Sequence, residues 1–169
     1  MNTKVIRMLV IILAALLTGC NSADKKLTEE MKAGLSRFKE VTLTTDLSWL
    51  SSQEREIVGL LIDAAGIIDD IYWMQAYGDK EELLAQVKNE YARDFIKIHY
   101  GPWDRLNNNL PFIPEFGEKF PGAQFYPADM TKKEFEEWND PDKTSLYTIV
   151  RRNNEGKLVS VPYPEAYQE

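Results

Sequence analysis

One cysteine and one histidine are all that 169 residues supply of the two side chains best suited to gripping zinc. A single Cys excludes an internal disulfide framework and a thiolate zinc finger. A single His excludes a zinc site built mainly on imidazoles. Positive charge is also short: 20 Lys and Arg stand against 27 Asp and Glu, a net charge of −7. That balance argues against nucleic acid as a partner, because such binders must neutralise phosphates. Long apolar runs are missing too. The unbroken run Met8–Leu17 is about half the roughly 20 residues that a permanent transmembrane helix needs. What remains is 44% hydrophobic and 11% aromatic, the composition of one globular domain around one core.

The first twenty residues read as an address. Lys4 and Arg7 precede the apolar run, and Leu17-Thr18-Gly19-Cys20 follows it. This is the order of a secretory signal. Cys20 behind two small residues resembles the lipobox of bacterial lipoproteins. That resemblance implies cleavage before Cys20, thioether lipidation of its sulfur and acylation of the new amino group by chains such as palmitate. It also implies export to the cell envelope, with Asn21 favouring the outer membrane. The alternative is an ordinary signal peptide with an incidental Cys. Each buried methylene contributes ~0.8 kcal/mol, so several acyl chains anchor stably in a lipid bilayer. Loss of Lys4 and Arg7 takes the net charge from −7 to −9, and an anionic lipid surface repels such a chain.

The spacing divides the chain into a signal peptide at 1–19, a lipidated tether with a candidate short helix at 20–45, and a domain at 46–169. Leu27, Met31, Leu35 and Phe38 carry the helical repeat of the tether. Ser51-Ser52-Gln53-Glu54 fits a capping box. A helical repeat then runs through Ile57, Leu60, Leu61, Ala64, Ile67, Ile68, Ile71 and Met74 and stops at Gly78. This helix is expected to be covered on more than one side. A second helix starts at Asp79-Lys80-Glu81-Glu82 and turns Leu83, Leu84, Val87, Tyr91 and Phe95 inward. With the first it makes an antiparallel helical hairpin. Five prolines between His99 and Pro127 exclude helix there, and the aromatic density of that stretch predicts ordered loops packed on the hairpin. Thr131 caps a short helix through Trp138. Ser145–Arg151 and Lys157–Pro162 alternate as two strands about an Asn153–Gly156 turn. The fold class is therefore α+β.

Chemistry-bearing groups are sparse. His99 sits in an aromatic stretch, where a packed imidazole and a catalytic one are the two readings. Asp63 and Asp70, with Asp69 beside them, share a helix face; acid–base work needs one of them buried, and a solvated face does not. Asn139, Asp140 and Asp142 read as turn chemistry or a weak cation site. The most pointed segment is Tyr100-Gly101-Pro102-Trp103-Asp104-Arg105, followed by three Asn. Tyr100 and Trp103 offer stacking, Asp104 an acceptor and Arg105 a carboxylate partner, the groups that hold a peptide or glycan ligand. The competing reading is an Asp–Arg bridge that locks the loop. The sequence supplies no catalytic residue and no metal ligand set.

Four runs carry a resemblance: LSSQEREIVGLLIDAAGIIDDIYWMQAYGDK, YARDFIKIHYGPWDRLNNNLPFI, GAQFYPADMTKKEFEEW and DPDKTSLYTIVRR. Together they resemble the N-terminal part of bacterial dipeptidyl-peptidase III-like zinc hydrolases over residues 47–163, in their lipoprotein form. The resemblance implies a metallopeptidase of two lobes around a cleft, with zinc as cofactor on a helix bearing HExxGH-like ligands. None of those positions falls in this chain, so no catalytic role carries over. Two explanations follow: a fragment that is inactive alone, or a chain whose partner supplies the zinc lobe. The other function class is a stand-alone surface lipoprotein that binds peptide or glycan through Tyr100–Arg105. A third is a partner-binding subunit, which a large bare apolar patch would mark. A fragment, too, should leave part of its apolar surface bare.

Overall fold

A computed structural model describes residues 23–168. The signal peptide and the lipidation site at Cys20 lie outside the described residues. The fold is α+β, with helices, aromatic-rich loops and two small antiparallel sheets.

Residues 23–35 form α1, the helix expected after Leu27, though starting earlier. It is part of the core rather than of a free tether: Met31 is buried, and Leu27, Leu35 and Phe38 pack against the core cluster. Helix α2 spans Ser52–Ala76 and opens on the full capping box, Ser51 accepting from the Glu54 amide while Glu54 reaches back to the Ser51 amide. The chain turns at Tyr77-Gly78 into α3, Lys80–Gln86, capped by Asp79. The second helix of the expected hairpin is two helices. Val87 leaves the helix in extended geometry, and Asn89 starts α4, Glu90–His99, by accepting from the Ala92 amide. Asn favours this capping position over a helix interior, so the break is a local choice that the apolar repeat alone does not register.

The core lies around α3 and α4. Leu83, Ala92, Phe95 and Ile96 are essentially inaccessible, and Met31, Trp73, Leu84, Val87 and Ile113 close around them. Each large apolar side chain buried here stabilises the fold by about 1.5–3 kcal/mol. Packing on Phe95 is tight enough that Gly34 is required: a Cβ there would stand 2.9 Å from the Phe95 ring.

Only the last turns of α2 join this core. Trp73 and Ala76 are its buried residues, and the 3₁₀ turn Ala123–Phe125 packs against it, Gln124 Nε2 donating to the Tyr77 carbonyl at 2.7 Å. Among the described residues, coverage on more than one side does not occur. Ile57, Leu60, Leu61, Ile62, Ile67 and Ile68 are all more than half exposed. The helical hairpin is closed at its turn and open along its length.

The remainder follows the expected order. Strands β1, Trp103–Asp104, and β2, Leu110–Pro111, make a two-residue ladder. Helix α5, Lys132–Glu137, has Thr131 as its N-cap. Strands β3, Thr148–Arg152, and β4, Leu158–Pro162, pair antiparallel with Val150 opposite Ser160. A four-residue helix α6, Tyr163–Ala166, follows and was not expected from the sequence. Arg152 ties the hairpin to α5, donating to both carboxylate oxygens of Glu134 at 2.8 and 2.9 Å and to Asp129 at 2.8 Å.

Candidate functional site

The Tyr100–Arg105 segment begins where α4 stops. Tyr100 adopts left-handed geometry (φ 54°), and its amide and that of Gly101 both donate to the Ile96 carbonyl. Gly101 has φ 145°, a region that L side chains rarely occupy, and Pro102 then starts the path into β1. The turn back to β2 runs through Asn108 and Asn109, both left-handed (φ 53° and 56°). Asn tolerates that conformation better than most residues, so the Asn run is turn chemistry rather than a set of ligand groups.

The four singled-out side chains go three ways. Trp103 donates its indole N–H to the Gly117 carbonyl at 3.0 Å, with its ring beside Tyr77 and the Lys119 ammonium 5.8 Å from the ring centre. Asp104 turns inward, next to His99. Tyr100 and Arg105 turn to α2: the Tyr100 hydroxyl donates to Asp69, and Arg105 donates to the Tyr72 hydroxyl while lying over the Tyr72 and Tyr100 rings. Hydrogen bonding to Asp69, helped by burial, raises the Tyr100 phenol above its ordinary value. Burial, then the charge of Arg105, lowers the Lys119 ammonium.

Asp104 is the centre of a buried polar knot. Its Oδ2 accepts from Arg37 Nη2 at 2.7 Å, and Oδ1 accepts from the Leu106 amide at 3.0 Å. Burial opposes its charge, but the Arg37 hydrogen bond, the Leu106 amide and the Arg37 charge prevail, so the carboxyl sits below its ordinary value. His99 Nδ1 accepts from the Arg105 amide at 3.1 Å, which leaves the imidazole proton on Nε2. That atom is buried 3.7 Å from Asp104 Oδ1 and has no hydrogen-bond partner among the described residues. Phe95, Phe38 and Phe112 surround the ring, and burial pushes the His99 pKa down. The carboxylate's cation is thus Arg37, far away in sequence and without a local motif that pairs the two.

Zinc does not fit these residues. The imidazole's Nδ1 is held by a backbone amide, its Nε2 is enclosed by phenyl rings, and its one nearby carboxylate is committed to Arg37. Among the described residues no three His, Cys, Asp or Glu converge. Asp63 and Asp70 are exposed, as a solvated face requires. Asp140 accepts from the Asp142 amide at 2.8 Å, as turn chemistry requires. A shallow groove of about 750 Å³ lies beside the loop, bounded by Asn108, Lys119, Phe120 and Tyr126.

The second feature is the bare stripe of α2. Ile57, Leu60, Leu61, Ile67 and Ile68 are 54–66% exposed on one arc of the helix. The sequence places these residues on a helix expected to be covered on more than one side.

No family model matches the chain. Two solved structures share its fold. DPP III from Caldithrix abyssi aligns with a TM-score of 0.72 and 34% identity, over 82% of this chain and 28% of that one. Dipeptidyl-peptidase III from Corallococcus sp. strain EGB aligns with a TM-score of 0.73 and 28% identity, over 83% of this chain and 29% of that one. Among curated proteins, Nudix hydrolase 3 of Arabidopsis thaliana is 27% identical over 73% of this chain and 22% of its own length. The chain thus spans between a fifth and a third of each relative. The two structural neighbours agree with each other and cover most of this chain, so its α+β fold resembles part of dipeptidyl-peptidase III.

Proposed function

We propose that this chain is the N-terminal portion of a lipid-anchored, zinc-dependent peptidase of dipeptidyl-peptidase III type, inactive until the zinc-bearing portion joins it. One observation carries the reading: more than four-fifths of the chain follows the neighbours' fold at TM-scores above 0.7, while accounting for under a third of their lengths. The donor shortage supports the second half. Zinc catalysis takes three protein ligands and an open position, and the one His is committed to the loop after α4. In this portion the Arg37–Asp104–His99 knot holds that loop in place.

The anchor is Cys20, acylated after export and seated in the outer membrane. The test of the activity is release of dipeptidyl arylamides by the purified chain with zinc added, with and without a chelator. No release above background is the expected result; chelator-sensitive release by the homogeneous chain overturns the reading. For the anchor, Cys20→Ala is expected to move the protein from the membrane fraction to the soluble envelope fraction. An unchanged distribution overturns that part alone.

A further inference from the structure

We infer that the bare stripe of α2 is the seam on which the catalytic portion of a dipeptidyl-peptidase III-type fold docks. The inference rests on the proposed function and adds to it which surface does the joining. The helix is built for burial. Ile57, Leu60, Leu61, Ile67, Ile68 and Ile71 recur at helical spacing on one arc, Ile62 stands on another, and Asp63, Asp69 and Asp70 lie off the arc. Yet among the described residues nothing covers the arc between Ile57 and Ile68. The segment ahead of α2 also carries bare apolar side chains: Val41 is 65%, Leu43 91% and Trp49 75% exposed. Monomeric proteins rarely expose contiguous patches of this kind unless something binds there.

The stripe also has relief. At its C-terminal end Ile67, Ile71 and Met74 face Tyr167 across a groove of about 360 Å³, which offers a concavity for an inserted side chain. Removing five such aliphatic side chains from water is the drive for docking.

Three occupants compete. An anionic bilayer is disfavoured by the net charge of −7 and by the acidic residues beside the stripe. A second copy would bring the same acidic groups together across the pair. The remaining seven-tenths of a dipeptidyl-peptidase III fold must lie against the matched portion somewhere, since the solved neighbours extend that far beyond it. The stripe is the large apolar surface this chain presents for it.

The test places a photo-crosslinking amino acid at Leu61 of the full chain, and separately at Leu146, an exposed position outside α2, in the cells that express it. The expected result is a crosslink from position 61 to a polypeptide segment bearing the HExxGH-type zinc helix, whether in the same chain or in another. In a third protein carrying the probe at Ile67, Ile57→Glu with Leu60→Glu should lower crosslink yield by at least about tenfold, a loss of about 1.4 kcal/mol or more, with no fall in the melting temperature of the isolated chain. Crosslinks from position 61 to lipid, to a second copy or to residues 1–22, or none at all, overturn the seam. If position 146 still reaches a zinc-bearing segment in that case, the proposed function survives without the seam. If neither position reaches one, both fail.

Discussion

Arg37 and Asp104 meet at 2.7 Å across 67 positions of chain. The pair joins the turn after α1 to β1 directly beneath the loop that follows α4. Asp104 is 8% exposed and the Arg37 side chain 43%, so this is a half-buried pair that water still screens on one side. Its main effect is to seat Asp104 where it also accepts from Leu106.

Asp104→Ala removes both bonds and leaves Arg37 without its partner. The expected cost is about 1.5–3 kcal/mol, the range for hydrogen bonds to charged groups. Arg37→Met should cost at least as much, because Asp104 then keeps its charge in a buried position. Denaturant midpoints of the two variants and of the double variant measure it; near-additive effects would contradict direct coupling.

The stability of the fold should fall as the solution is acidified from neutral. His99 has a folded pKa below the ordinary 6.5 because it is buried, so below about pH 6.5 the unfolded chain takes up the proton first. The contribution of neutral His99 is therefore fully present above that pH and is lost as pH falls through the folded value. His99→Asn retains an acceptor for the Arg105 amide and should flatten the dependence of melting temperature on pH between 7 and 5. An unchanged slope would assign it to other groups.

Gly34→Ala should destabilise although Ala is the better helix former. The added methyl would meet the Phe95 ring at 2.9 Å, and Phe95 is too enclosed to move aside. Overpacking of this kind costs about 1–3 kcal/mol against a propensity gain of about 1. A raised melting temperature would show that the ring yields.

Asn89 has two duties. Its Oδ1 caps α4, and its Nδ2 donates to Thr28 at 2.7 Å and Asp24 at 3.1 Å, holding α1. Asn89→Asp should keep the cap but set a carboxylate against Asp24, loosening residues 23–35 more than α4. Asn89→Ala should lose both functions and cost about 1 kcal/mol through the cap alone. Hydrogen exchange resolved by segment distinguishes the two variants.

Much of the secondary structure is legible in local chemistry. The capping box at Ser51, the caps at Asp79 and Thr131 and the turn at Asn153–Gly156 depend on neighbours within a few positions, and each stands where the residues put it. Burial is another matter. An apolar stripe states that a helix is meant to be covered, not by what, so Ile57–Ile68 read as core and stand in solvent. The break at Val87–Asn89 escaped because apolar periodicity continues across it. Within the Tyr100–Arg105 loop, the partner of Asp104 is Arg37, 67 positions away, a pairing that no spacing rule contains. The α+β class and the likeness to dipeptidyl-peptidase III came from long runs of sequence rather than from any reactive group.

Hydrogen exchange of the α2 amides in the purified chain tests the account most directly. With solvent on the stripe, the amides between Ile57 and Ile68 should exchange orders of magnitude faster than those of Phe95 and Ile96, since an isolated helical segment is marginal in water. Protection of that stretch equal to α4 in the monomeric chain would mean that the chain covers its own stripe, and the account would be wrong.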